Sequence, residues 1–330
     1  MKVAFIGVSH WHANEFYLPA LSTRDVEIVA LSDPDEQACE RSAAQFDLDC
    51  PHFTDFRKLL DETEADLVFA GAPHIDMTEI AAELLAREQP FHMEKPMGVG
   101  WQMLETVAAR AEQKNVFASV ALVSRYYGVV EKLREMRLAG ELGTPVHYYY
   151  RLLAGSPQRY METHCEWMLD PVLAGAGPLF NFGPHVIDLF IHLIDDVAEV
   201  TARWSHGLFA NEVEDHATVM MVGANTSAVG VGEIGYTMPE SYERYFSVST
   251  SELHVGGGMS DEDILMRGAD NFHVGGPDIS GLYDHYVGDV LARFEAGEPP
   301  IATIGDMVPV LRVMNAAVES AHEGVTVVLD

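Results

Sequence analysis

Short apolar runs alternate with stretches of helical period over the first 122 residues, and this rhythm limits the chain to very few folds. The apolar runs Lys2–Ile6, Val26–Leu31, Leu67–Ala70, Pro90–Met93 and Val116–Ala121 read as strands. Between them, about Asn14–Leu21, Glu36–Phe46, Phe56–Glu62, Met77–Arg87 and Trp101–Gln113 carry helical patterns. Strands joined by helical crossovers lie parallel and wind right-handed, so residues 1–122 are expected to form a doubly wound α/β domain.

The rhythm then changes. A helix at about Val129–Leu138 ends at Gly140-Glu-Leu-Gly143, and strand-like runs follow at Pro145–Leu152, Val197–Trp204, Ala217–Val222, Ala228–Ile234, Tyr245–Ser249 and Glu252–Val255. Most of these are too close together for helical crossovers, which predicts an open, mostly antiparallel sheet. One helix, about His185–Leu193, interrupts the strands, and two more, Tyr283–Ala296 and Asp306–Glu323, close the chain. Gly256–Gly281, rich in glycine and aspartate, reads as a long surface loop. Residues 123–330 are thus expected to be an α+β domain for substrate binding and oligomerisation.

The charge balance excludes whole classes of partner. Against 20 basic side chains stand 51 acidic ones, a net charge of −31. Such a surface repels nucleic acid and anionic lipid. No apolar run is long enough to cross a membrane, and Met1–Gly7 is a strand entering a turn rather than a signal peptide. Cys39, Cys50 and Cys165 are odd in number and lack metal-site spacing, which favours a reduced, cytoplasmic setting.

Gly7-Val8-Ser9-His10-Trp11-His12 fills the first strand-to-helix turn, where a dinucleotide fold carries its glycine fingerprint. Only the first glycine is kept; Ser9 and His12 stand at the second and third positions. Asp33 ends the next strand, in the register of a carboxylate that accepts from the adenosine ribose hydroxyls, although a plain turn aspartate before a proline has the same spelling. Ser32-Asp33-Pro34-Asp35 holds no cation for a 2′-phosphate, so NAD is expected over NADP. His10 and His12, two apart on a loop, should point in different directions, and no third ligand is near in sequence, so no metal site is expected.

Lysine is scarce, with five in the chain (Lys2, Lys58, Lys95, Lys114, Lys132). Lys95, in Glu94-Lys95-Pro96, would stand at the carboxyl end of a parallel strand, the edge where open α/β sheets bind ligands. An ammonium there can relay the proton that accompanies hydride transfer; the other reading is a surface Glu-Lys turn stopped by a proline. A second cluster runs from Gly175 through Asn181 and His185 to Asp188. With a helix starting near Gly183-Pro184, His185 would lie in its first turn, either facing a cleft as a base or packing and capping that helix.

Together these segments resemble the glucose–fructose oxidoreductase, inositol dehydrogenase and rhizopine catabolism (Gfo/Idh/MocA) family. The carriers, in order, are the Gly7 strand, Asp33, Ala72-Pro73, Glu94-Lys95-Pro96, Gly140–Gly143, Trp167 with Asp170-Pro171, Asn181–Asp188, and Gly297–Ile301 to Glu319–Ala321. The resemblance implies a Rossmann domain, an open-sheet domain and an active site between them that oxidises a secondary alcohol of a sugar, inositol or related polyol, or reduces the ketone. It implies Lys95 and His185 as catalytic residues. Asn181 stands where the family often has aspartate, and an amide can position groups but cannot act as a base. Cofactor contacts are expected from Gly7, Ser9, His10, Trp11, His12, Asp33, Ala72, Pro73, His74, Glu94 and Lys95. His74 and Met77 depart from the family's usual asparagine and histidine. Substrate contacts are expected from Lys95, Arg125, Tyr126, His164, Trp167, Asn181 and His185.

Two rival readings fit the same residues. The first is an NAD-dependent cleavage of glycosides by transient oxidation and elimination. The second is a nucleotide-sensing regulator without catalysis, against which Lys95 and His185 argue. Ala217–Val222 and Ala228–Ile234 are largely apolar on both faces, which fits burial between subunits and predicts a homodimer or homotetramer.

Overall fold

The structure, a computed structural model, describes residues 1–238, 242–259, 264–268, 271–274 and 279–329. It divides into two compact units. One comprises Met1–Ala121, Gln158–Met168 and Tyr283–Val308, and the other Leu122–Pro157, Leu169–Leu282 and Pro309–Asp330. Two segments that follow residue 122 in sequence therefore pack with the first unit.

The first unit is built on a six-stranded parallel sheet: β1 (Lys2–Ile6), β2 (Glu27–Ser32), β3 (His52–Phe53), β4 (Leu67–Ala70), β5 (Phe91–Met93) and β6 (Ala118–Val120), in the order β3-β2-β1-β4-β5-β6. This is the Rossmann order, whose switch point falls between β1 and β4. Val3, Leu67, Val68 and Phe91 are wholly buried, as expected of strands covered on both faces. β3 was not expected; its two residues are too few to show a period.

The second unit holds a nine-stranded sheet. Its strands are β7 (Pro145–Leu153), β8 (Val197–Ser205), β9 (His216–Gly223), β10 (Val229–Gly235), β11 (Glu243–Thr250), β12 (His254–Gly258), β13 (Ile264–Arg267), β14 (Phe272–Val274) and β15 (Val327–Val328). The order is β14-β13-β12-β11-β7-β10-β9-β8-β15, with β7 and β10 parallel and the other described pairs antiparallel. The expectation of a structureless loop over Gly256–Gly281 is corrected where residues are described. β12 runs to Gly258, and β13 and β14 continue the sheet. β12 carries three glycines, which are poor strand formers, but pairing to an existing edge outweighs propensity. Residues 260–263, 269–270 and 275–278 of that stretch lie outside the described residues.

One helix, Pro178–Leu193, lies directly on this sheet. On β10, a Cβ at Gly230 would come within 2.5 Å of Phe190, and one at Gly232 within 2.5 Å of Val186. Glycine at both positions is what lets the helix approach so closely. β10 is therefore not apolar on two equivalent faces: its inward face is glycine under a helix, and Val229, Val231 and Glu233 face the other way.

Candidate functional site

In the first unit, three strand ends bring the nucleotide segments side by side. Ile6 pairs with Ala70 and Ala70 with Met93, so Gly7, Gly71 and Glu94 emerge from one edge of the sheet. Gly7 has φ +79°, and a Cβ there would lie 1.6 Å from the Gly71 carbonyl oxygen, so no other residue fits. Beside these turns is a cavity of about 290 Å³ lined by Gly7, Ser9, Asp33, Pro34, Ala72 and Pro73, among others. Asp33 is buried at its mouth, accepting from Ser9 N–H on Oδ2 (2.8 Å) and from Asp35 N–H on Oδ1 (3.0 Å). The carboxylate is thus aimed by two backbone amides, and its remaining lone pairs suit ribose hydroxyls. Arg57, from outside the Ser32–Asp35 segment, also lines the cavity, but its guanidinium is paired with Glu79.

Glu94 is the hub of this edge. It is 1% exposed and accepts from His12 Nδ1 (2.8 Å), from the Tyr17 hydroxyl and from the Lys95 backbone N–H (3.1 Å, on Oε2). Burial opposes its charge, but His12, Lys95 and His10 more than offset burial and hold the carboxyl well below the usual range. Burial and Glu94 together push the Tyr17 hydroxyl far up, so it stays a donor. His12 and Tyr17 are five apart and reach the same oxygen because Ala13–Tyr17 winds as a π-helix, which brings such positions nearer one face than α winding does. Lys95 itself is 2% exposed, at the carboxyl end of β5, and the Lys95-Pro96 peptide is cis. The surface-turn reading of Lys95 is therefore wrong.

His10 and His12 do not diverge as expected. Their rings lie 5.1 Å apart, and with Glu94 they form a group whose ligand-capable atoms all fall within 4.8 Å of one another. The third member comes from β5, far away in sequence. Within the group, His12 Nδ1 and Glu94 Oε1 bond each other, and His10 Nδ1 accepts the His12 amide (3.2 Å).

Among the remaining expected residues of this unit, Trp167 packs its ring against His10 (5.8 Å) and His74 (5.0 Å). Trp11 lies instead against Phe16 and Tyr160. His164 is exposed with φ +58° and is not brought to these groups. The late helix begins at Ile279 and turns Tyr283 and Tyr286 inward, while His285 is exposed. Tyr286 OH lies 2.8 Å from His92 Nε2, whose Nδ1 is 3.1 Å from Ser119 Oγ. Burial pushes His92 down to about 4.

The second unit collects the other candidates. Its central helix does not begin at Gly183-Pro184. It begins at Pro178, and Pro184 lies inside it. The start is set by Glu214, whose buried carboxylate accepts from Gly177 N–H (2.7 Å) and Leu179 N–H (2.9 Å). His185 is consequently mid-helix, with Asn181 one turn earlier on the same face, and both are buried. Ser124 Oγ, from a 3₁₀ turn at Val123–Tyr126, is 3.1 Å from His185 Nδ1. Tyr126 is buried in that turn. Arg125 grips Asp188 with Nη2 at 2.6 Å and Nε at 3.0 Å, both side chains being buried.

The chain matches two family models. Residues 1–122 match the oxidoreductase family with an NAD-binding Rossmann fold, and residues 130–255 match the GFO/IDH/MocA C-terminal domain. A protein of Amycolatopsis mediterranei (strain S699), provisionally named a UDP-kanosamine synthase oxidoreductase subunit, is 29% identical over 80% of this chain and 75% of its own length. The scyllo-inositol 2-dehydrogenase (NADP(+)) IolW of Bacillus subtilis (strain 168) is 24% identical over 72% of each chain. Among solved structures, levoglucosan dehydrogenase with NADH and levoglucosan superposes with a TM-score of 0.87 at 17% identity, covering 99% of both chains, and so shares the fold.

Proposed function

Because the chain belongs to the Gfo/Idh/MocA oxidoreductase family, we propose that it moves a hydride between NAD and a secondary alcohol of a sugar, inositol or related polyol. The observation that carries this reading is Lys95, a lysine buried at the carboxyl end of β5 beside the ionised Glu94. Burying a lysine is costly, and an ammonium there can steady the oxygen charge that develops as an alcohol is oxidised.

The fold's first unit suits the dinucleotide. Asp33 would hold the adenosine ribose hydroxyls, and the Gly7–Ser9 turn with Ala72, Pro73 and His74 would flank the rest. Bound NAD supplies the hydride acceptor. Lys95 steadies the developing oxygen charge and passes on the hydroxyl proton. His185 is the base of the second unit, Ser124 orients its ring, and Asn181 holds a substrate hydroxyl or the imidazole. Trp167 offers a face to a sugar ring. Asp33 beside the ribose disfavours a 2′-phosphate, and NAD is preferred over NADP. The relatives named for inositol and levoglucosan support a polyhydroxy substrate.

The protein acts as a homo-oligomer, supported by outward side chains on the large sheet such as Met220 and Tyr245, exposed by 41% and 42%. Three unpaired cysteines support a cytoplasmic setting. A panel of sugars, inositols and polyols offered with NAD and NADP, read at the nicotinamide absorbance, tests the reading. Failure of every polyhydroxy alcohol to yield NADH would sink it.

A further inference from the structure

His10 has a ring nitrogen that the protein aims but does not use. Its Nδ1 accepts the His12 backbone N–H at 3.2 Å, so the proton of the neutral ring must sit on Nε2. Among the described residues, no protein atom accepts from that Nε2–H. The side chain is only 3% exposed. Orientation is fixed from below as well: a Cβ on Gly71 would meet His10 Cβ at 3.1 Å and Cγ at 3.2 Å, so the ring rests on bare backbone. Trp167 closes another side.

The surroundings keep the ring uncharged. Burial is the main cause, and His12, Lys95 and His74 add to it, with Glu94 opposing, so His10 titrates well below the ordinary histidine range. A neutral imidazole of fixed tautomer is thus presented from the first strand-to-helix turn, three residues after Gly7. Ser9 on one side and Gly71 beneath it both line the cofactor cavity. This is the turn that has lost two of its three fingerprint glycines, and with them part of the backbone approach to a pyrophosphate.

We propose that His10 binds the dinucleotide as an uncharged donor, offering Nε2–H to an oxygen of the cofactor and thereby replacing contacts that the missing glycines would have allowed. The acceptor is a pyrophosphate or carboxamide oxygen; both are chemically suited to an N–H. This rests on the NAD-dependent reading but needs no substrate to test.

The experiment is equilibrium binding of NAD, ADP-ribose and AMP to the whole protein and to folded His10→Ala and His10→Gln variants. In His10→Ala, NAD affinity should fall roughly ten- to a hundredfold, the range for a lost bond to a charged or buried acceptor. A matching fall for ADP-ribose places the acceptor on the pyrophosphate, and a fall for NAD alone places it on the carboxamide. AMP, which carries only the adenosine-side phosphate, should weaken together with ADP-ribose if the acceptor is on that phosphate and stay unchanged if it lies on the nicotinamide side. His10→Gln, which keeps an N–H, should recover part of the loss. The ratio of wild type to His10→Ala should be the same at about pH 6 and about pH 9, because an uncharged donor has no charge to lose. Unchanged NAD binding in His10→Ala would overturn the inference. A ratio that grows toward low pH would mean a charged imidazolium and overturn it too. If wild type binds none of the three, the NAD-dependent reading itself has failed.

Discussion

Ser124 Oγ lies 3.1 Å from His185 Nδ1, where the hydroxyl can either donate to that nitrogen or accept from it. For Nε2 to take a hydroxyl proton, Nδ1 must carry its own hydrogen and Ser124 must accept it. Ser124→Ala removes that acceptor and weakens the imidazolium. The acid limb of the pH–rate profile should move to lower pH, and kcat should fall about three- to tenfold, with NAD affinity unchanged. An unmoved limb in a folded variant would show that Ser124 does not act through His185.

Arg125 and Asp188 form a buried, two-point ion pair in the same unit. Arg125 was expected among the substrate contacts, but its guanidinium is engaged by its own fold. Removing one partner strands a charge, so Arg125→Ala or Asp188→Asn should each cost roughly 3–5 kcal/mol by denaturant unfolding. Replacing both by apolar residues, Arg125→Met with Asp188→Leu, should recover most of it. A loss confined to substrate KM, with stability unchanged, would return Arg125 to the substrate.

Asp33→Asn should lower discrimination against NADP by about tenfold, since a like charge beside the 2′-phosphate disappears while one amide-accepting oxygen remains. Paired titrations with NAD and NADP measure it, and an unchanged ratio would free Asp33 from the ribose assignment.

Burial pushes His92 down to about 4, between Ser119 and Tyr286. A histidine whose folded pKa is depressed leaves stability untouched at neutral pH. As pH falls below about 6.5, the unfolded chain takes the proton first and the fold loses ground down to the folded pKa. Between neutrality and pH about 5 this single group should cost on the order of 2 kcal/mol. Urea midpoints should therefore fall more steeply over that range in wild type than in a His92→Gln variant. Equal slopes would mean that His92 is protonated in the fold.

Much of this was legible in the sequence, for physical reasons. Parallel strands buried on both faces announce themselves as apolar runs, and the ends of β1, β2 and β5 carry Gly7, Asp33 and Lys95. What sequence could not supply were partners set by tertiary contact. Pro184 has the look of a helix start, but the cap that fixes the start is Glu214, and it places Pro178 there instead. Tyr17 escapes helical spacing because the turn before it is π-wound. Glu94 joins His12 to Tyr17 across some eighty residues of chain. The strands β13 and β14 exist because β12 offers an edge, which no local pattern records.

The most direct test of the central claim is turnover by Lys95→Ala, with NADH formation followed on the best alcohol of the panel alongside NAD binding by titration. A group that serves proton transfer and the reacting oxygen contributes about 10²–10⁴-fold. The expected result is a loss of that size in kcat with NAD affinity within a few fold of wild type. Turnover close to wild type in a folded, NAD-binding Lys95→Ala protein would contradict the assignment of Lys95, and with it the hydride-transfer site argued from this chain.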